Sequence, residues 1–402
     1  MKYFLLLAFS LLLMNNATFA QKVKNEKVKF SYLQYPSKPF PKAERKFKFE
    51  AESTNQAAVD KMKNEHKAKI AQIDKKYADE LAALKKRQAA YDSSSTGNKI
   101  IANLLLGDER PADSLVKKDP YPIAPVYPKV IDASAKVHSN IIIQGLTETN
   151  DANATIKFTF GGMEYTAPHV VGDSLHLGYE YTIKNPVKVT ATTKDGNVLY
   201  DGVINNSESY STYVFGDAND TTKLETLWAK GRVREIQGME SFLLKGHLTK
   251  ANEILNEKFG YVIKEKSFKV FMGASKKGIY PEHAEAYNNA ILGYHLLENE
   301  SDFTQAKEYL DLAIASWEKS LEEKNTGDKK AKINSKVAGS LHFNILAASL
   351  FARDFKKVAF HSAQLKILGE GKYERQLAAI DEFINDYKAR YTAYAKEAGV
   401  TE

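Results

Sequence analysis

The chain has 402 residues, no cysteine and a formal charge of +7, from 57 Lys or Arg against 50 Asp or Glu. The missing cysteine removes disulfides, thiolate metal sites, cysteine nucleophiles and a lipidated anchor together, and the length is too great for a single core. The charge does not mark a nucleic-acid binder, because residues 21–50 hold nine Lys or Arg against three Glu while 129–216 are net acidic.

Residues 1–20 read as a secretory signal peptide, with Lys2, an apolar run from Phe4 to Met14, and Ala20 before Gln21. The run is shorter than the roughly 20 residues of a membrane span; the alternative is an uncleaved anchor. The expected chain is exported and is periplasmic, outer-membrane-associated or extracellular. Residues 21–53 form basic N-terminal β-strands, since Lys27-Val28-Lys29-Phe30-Ser31-Tyr32 and Lys46-Phe47-Lys48-Phe49 alternate lysine with apolar residues. Their lysines form either a solvated sheet face or a patch for an anionic partner such as lipopolysaccharide or an acidic protein.

Residues 54–92 form a long charged helix, with neither Gly nor Pro between Gln56 and Tyr91. Ile70, Ile73, Tyr77, Leu81, Leu84, Gln88 and Tyr91 recur at three or four residues and make a narrow seam. Such a helix lies on its own β-domain or projects as a partner-binding arm. Residues 93–128 are a Ser/Pro-rich linker carrying Pro111, Pro120, Pro122, Pro125 and Pro128; a ligand for a proline-recognising groove is the other reading.

Residues 129–216 form an antiparallel β-domain with runs at 140–146, 155–160, 164–168, 175–183, 187–193 and 197–204. Gly161-Gly162 and Asp195-Gly196 supply the positive φ that tight hairpins require. The spacing favours a sandwich, loosely like an immunoglobulin or fibronectin module. If the basic strands complete its sheet, the long helix and the linker are an insertion.

Residues 217–402 form a helical repeat-like domain. Gly246-His247-Leu248-Thr249-Lys250-Ala251, Asp302-Phe303-Thr304-Gln305-Ala306 and Asp354-Phe355-Lys356-Lys357-Val358 each open a helix in the same way. Tyr287, Ala290, Ile291, Tyr294 and Leu297 share one helical face; Phe303, Ala306, Leu310, Ala313, Ile314 and Trp317 share the next. The copy running from Ala286-Tyr287-Asn288-Asn289 through Leu292-Gly293 to Asp302-Phe303, Ala306, Leu310 and Ala313 resembles the tetratricopeptide repeat, a unit of about 34 residues. It departs from that pattern by one extra residue between Gly293 and Ala306, by Leu296 in an aromatic position, by the lack of a closing Pro and by a charged insertion at 322–332. The resemblance implies stacked hairpins whose groove binds protein; an ordinary helical bundle is the alternative. The expected fold class is multidomain α+β: an antiparallel β-sandwich-like domain with a long inserted helix, followed by an all-α repeat-like domain.

No catalytic, cofactor-binding or metal-binding residue emerges. The histidines at 66, 138, 169, 176, 247, 283, 295, 342 and 361 include no pair at the spacing that puts two imidazoles on one helical face, and each reads as a surface or satisfied core residue. No phosphate-cradling loop or nucleophile elbow is present. Asp217-Ala218-Asn219-Asp220 either gathers calcium ligands or caps a helix through Asp220, Thr221 or Thr222. Tyr179, Tyr181, Tyr200, Tyr210, Tyr213, Tyr387, Tyr391 and Tyr394 either pack or line a sugar or peptide site. The expected function is a non-enzymatic scaffold of the bacterial cell envelope that binds a protein partner through helical repeats, with peripheral outer-membrane association compatible with it and no nucleic acid. The alternative is a carbohydrate-binding or adhesin-like protein using the β-domain to hold a glycan; a hydrolase on an unrecognised scaffold has no motif behind it.

Overall fold

The computed structural model describes residues 21–101, 112 and 116–400. The expected signal peptide at 1–20 and part of the expected linker, including Pro111, lie outside the described residues. In chain order the elements are β1 (Lys22–Gln34), β2 (Lys46–Ser53), α1 (Asn55–Ser93), α2 (Thr96–Ile101) and α3 (Ala133–Asn140). Seven strands follow: β3 (Thr147–Glu148), β4 (Ala154–Phe160), β5 (Glu164–Tyr165), β6 (His169–Gly172), β7 (Leu177–Lys184), β8 (Val187–Thr193) and β9 (Val198–Val203). After β10 (Ser211–Ala218) and α4 (Thr221–Phe259) come β11 (Val262–Ser275) and β12 (Gly278–Ile279). The last helices are α5 (Pro281–His295), α6 (Phe303–Glu322), α7 (Ser335–Phe351), α8 (Phe355–Leu368), α9 (Gly371–Ala378) and α10 (Asp381–Ala398). The class is α+β as expected, with antiparallel strands, a long helix after the first strands and helices in the C-terminal half. The chain divides into two compact units, neither continuous in sequence. One takes the described residues up to Lys46, Ile142–Thr149 and those from Glu253 onward; the other takes Phe47–Ile141 and Asn150–Asn252.

The second unit holds most of two of the three sheets found among the described residues. In the first, β4 buries Ala154, Ile156, Phe158 and Phe160, and its antiparallel neighbour β8 buries Val187, Val189 and Ala191. β2 completes this sheet as expected, but parallel to β4, with Lys48 opposite Thr155 and Ser53 opposite Phe160. A parallel pair cannot be closed by a tight turn and needs a long crossover, and α1 with the linker lies within that connection. Asp195-Gly196 joins β8 to β9 with Gly196 at φ +82, as a hairpin demands. Gly161-Gly162 is not a hairpin: it carries the chain from β4 to β5 in the other sheet, and a Cβ on Gly161 would lie 2.7 Å from Pro186 Cβ. Residues 140–146 are not a strand either. The Asp132 carboxylate accepts from Ala135 N at 3.0 Å and caps α3, and Ile141 and Ile143 are buried from the irregular segment that follows. In the second sheet Tyr181, Tyr213 and Phe215 pack with Trp228 and Ile236 of α4.

The first unit departs from an all-helical reading of residues 217–402. β11 pairs antiparallel with β1 along its whole length, from Lys22 opposite Ala274 to Gln34 opposite Val262. Phe268 and Val270 on β11 join Val28, Phe30 and Tyr32 on β1 in one core; β1 alternates from Val28 to Tyr32 as a strand with one buried face does, whereas β11 is buried on both faces from Val270 to Ala274. This ribbon lies against α5 and α7. Around it α5 packs on α6, α6 on α7, and α7 on α8, a succession of helical hairpins.

α7 is the axis of the array. Every residue from Val337 to Phe351 is buried, so it has no polar face and its polar side chains must find partners inside. Asn344 does so on β11: Phe271 N donates to Asn344 Oδ1 at 2.9 Å, and Asn344 Nδ2 donates to Phe271 O at 2.7 Å. One amide side chain thus closes both backbone groups that Phe271 turns away from β1. The small residues of the repeat-like copy sit at helix contacts, since a Cβ on Gly293 would meet Leu310 Cγ at 2.7 Å and Ala306 O at 3.0 Å, and Ala306 is fully buried.

Two substitutions test this packing by thermal or denaturant unfolding. Ala306→Leu is expected to cost about 1–3 kcal/mol through overpacking, while Ala331→Leu in the charged insertion is nearly silent; equal tolerance would place Ala306 outside a helix contact. Asn344→Leu strands a buried N–H and a buried C=O, at about 1–3 kcal/mol each, and a wild-type midpoint in this variant would show that the clamp on Phe271 contributes nothing.

Candidate functional site

Helix α4 buries Ile236, Leu244 and Leu248 at successive turns, and the residue between them in this stripe is Glu240, itself only 3% exposed. A carboxylate in an apolar stripe demands partners. Its two oxygens accept from Lys129 N at 3.2 and 3.0 Å, and burial raises its pKa, opposed by that hydrogen bond and by the Lys129 charge. The Lys129 ammonium itself donates to Ser241 Oγ at 2.8 Å.

The other backbone group of Lys129 is taken by the first residue of α1, with Asn55 Nδ2 donating to Lys129 O at 2.7 Å. Upstream, Gln237 Nε2 donates to Tyr127 O at 3.1 Å and Val126 N donates to Tyr165 OH at 2.8 Å. The end of the proline linker is therefore stitched down residue by residue. Beside this seam opens a cleft of about 490 Å³ within the second unit, lined by Asn55, Lys129, Lys136, Asn185, Glu240 and Lys245 among others. Asn55 and Asn185 are 2% and 4% exposed, and Asn55 Oδ1 has no hydrogen-bond partner among the described residues. A larger cleft of about 700 Å³ beside the ribbon is lined by Lys29, Glu265, Lys266 and Glu298. It is open, and the polar residues named there are not buried. The polar cleft at Glu240 is the better built of the two, because buried acceptors converge on it.

The cleft was not legible as a site, since Asn55, Asn185 and Glu240 are far apart in sequence; the only signal was the acidic residue interrupting the stripe of α4. Residues singled out from the sequence find other places. Asp220 caps α4, its Oδ1 accepting from Lys223 N at 2.7 Å, and Asp217 faces His176 Nδ1 at 3.0 Å. Among the described residues no group of three His, Cys, Asp or Glu could hold a metal ion. Tyr179 and Tyr181 lie against Trp228. Tyr210 donates to Glu164 at 3.0 Å at the surface.

Tyr391 and Tyr394 belong to a tyrosine–arginine cluster in the first unit. Glu300 accepts from Tyr35 OH at 3.2 Å and Tyr394 OH at 3.0 Å and pairs with Arg45. Arg353, in the left-handed region at φ 64, donates to Tyr35 OH at 2.7 Å and lies 3.3 Å from the Phe303 ring centroid. Burial raises the pKa values of Tyr35 and Tyr394, so these phenols stay protonated donors. A guanidinium over an aromatic face is attracted to it by the ring quadrupole, which helps hold this cluster together.

The histidines that sequence spacing kept apart do meet. His342 of α7 and His361 of α8, both buried, approach Nδ1 to Nδ1 at 2.8 Å, so one nitrogen donates and the other accepts. His361 Nε2 faces Glu318 Oε1 at 3.8 Å. A proton on that nitrogen leaves His361 Nδ1 to accept from His342, and His342 Nε2 becomes a bare lone pair, in keeping with its lack of a partner among the described residues. Burial lowers the pKa of each to about 4, as it does for fully buried His283, whose Nδ1 accepts from Gly273 N at 2.9 Å.

These shifts set a pH dependence. Each folded-state pKa lies below the unfolded value near 6.5, so between pH 6.5 and 4 the unfolded chain binds more protons and stability falls as pH falls. Each histidine contributes at most about 1.4 kcal/mol per pH unit. The melting temperature is expected to drop from pH 7 to pH 5, with His361→Gln flattening the slope; a profile level over that range would refute the buried neutral histidines. In comparisons with family models, curated proteins and solved structures, the chain matches none of them.

Proposed function

We propose that this is an exported, non-enzymatic binding protein of the bacterial cell envelope that engages a protein partner through its helical region. We read α5 and α6 as a divergent tetratricopeptide-like hairpin, supported by Gly293, Ala306 and Leu310 at their contact. In such arrays the groove is the usual recognition face, but here the ribbon of β1 and β11 already lies against α5 and α7. The outer helix α8 remains. The observation that carries the reading is its apolar stripe: Phe360 and Ile367, two helical turns apart, are 57% and 75% exposed, with exposed Ala363 between them. Burying side chains of that size contributes about 1.5–3 kcal/mol each, and a contiguous exposed apolar stripe is a feature of interaction surfaces. Export rests on the signal pattern of residues 1–20, and peripheral association with an outer membrane is compatible with it. A second reading, a small polar ligand or glycan held by the β-domain, is favoured by the cleft at Glu240.

A photo-crosslinking residue at Phe360 in the intact protein is expected to capture one stoichiometric partner in envelope fractions. With the photo-crosslinking residue moved to exposed Ala363 on the same stripe, which should capture the same partner, Phe360→Glu with Ile367→Glu should abolish that capture at an unchanged melting temperature. Recovery of no partner, or of the same partner from the double variant, would remove this reading.

A further inference from the structure

We propose that the cleft at Glu240 binds a small zwitterion, an α-amino acid or short peptide whose ammonium meets Glu240 and Asn55 while its carboxylate meets Lys136 and Lys245. The floor of the cleft offers acceptors. Among the described residues the Glu240 carboxylate receives only the Lys129 N–H as a hydrogen bond, which leaves most of its acceptor sites open, and Asn55 Oδ1 receives none. A ligand settled there must bring donors, and a cationic donor also compensates a carboxylate held away from water. The rim offers the opposite sign. Lys136 and Lys245 line the same cleft, and neither ammonium has a carboxylate partner among the described residues.

Val130, Leu244 and Leu248 supply apolar wall to the same cleft, which suits an aliphatic side chain. About 490 Å³ is within the range of small-ligand pockets. Other chemistries fit less well. A lone phosphate would answer the lysines but meet Glu240 as a like charge, a diamine would answer Glu240 and leave the lysines unpaired, and a neutral sugar would satisfy acceptors without using either charge.

Calorimetric titration of the full-length protein with L-leucyl-L-leucine tests the assignment. Saturable binding is expected, weakened about tenfold by Glu240→Gln or by N-acetylation of the peptide, each of which removes one charge from the floor contact. Glutamine keeps an acceptor for Lys129 N, so this variant should stay folded. Lys245→Gln on the exposed rim, or amidation of the peptide carboxylate, should weaken binding about threefold, as a solvent-exposed pair would. No saturation at millimolar peptide, or affinity indifferent to N-acetylation and to both variants, would overturn the proposal. Tighter binding of chitobiose than of the peptide would overturn it in favour of a neutral glycan.

Discussion

The first unit depends on the pairing of β1 with β11. Residues 22–34 and 262–275 are more than two hundred positions apart, and closing such a loop is entropically expensive. The return comes from a shared core. Phe30 stacks on Tyr294 of α5 at 4.7 Å and meets Phe351 of α7 edge-on at 5.1 Å, while Tyr32 reaches Phe351 and Tyr387. Without the ribbon, α5 and α7 would turn an aromatic face to water; without those helices, the ribbon would be a marginal pair of strands. A fragment beginning at Gly216 would lack β1 and so would not carry the complete core of this unit.

Backbone groups that secondary structure leaves unpaired are closed by polar side chains. Asn344 takes both groups of Phe271, and Asn55 with Glu240 takes both groups of Lys129. Arg390 reaches the last turn of α4, donating to Glu257 O at 2.9 Å and to Glu257 Oε1 at 2.9 Å, while Asp386 holds its Nε. A cation at a helix C-terminus answers the exposed carbonyls and the dipole together. In each case a buried polar residue is tolerated because a backbone segment would otherwise be left unsatisfied. At Asn55 and Glu240 the accounting leaves acceptors over, which distinguishes the cleft from the clamp on Phe271.

The lysines of the basic strands take a solvated position along much of β1. Lys27 and Lys29 alternate with buried Val28 and Phe30, and Lys27 stands opposite Lys269 in the ladder. Like charges directly opposed are unfavourable in a sheet, and here both side chains are exposed, so solvent screens the repulsion; separately, lysines along the edge strand β1 discourage pairing with another strand. Lys266 is different, since it faces the core side opposite Phe30, lies 3.6 Å from the Phe383 ring centroid and has its pKa lowered by desolvation.

How much could be read in advance varied with the range of the interaction involved. The helices of the C-terminal half, the long α1, the Asp195-Gly196 hairpin and the cap at Asp220 were legible, because periodicity, turn residues and caps act within a few positions. So were Gly293 and Ala306 as helix contacts, since small residues at helical spacing have few other uses. The strand at 262–275 was not: Phe268, Val270, Met272 and Ala274 alternate, but the long helices on either side carried the helical reading across it, and only the partner 22–34 makes it a strand. The parallel setting of β2, the passage of Gly161-Gly162 between sheets, the encounter of His342 with His361 and the convergence of Asn55, Asn185 and Glu240 were likewise decided in three dimensions. Each depends on groups remote in sequence whose meeting is fixed by burial of apolar surface, a force without direction or register along the chain, so the local pattern determined the elements and only their packing determined which polar groups share a site.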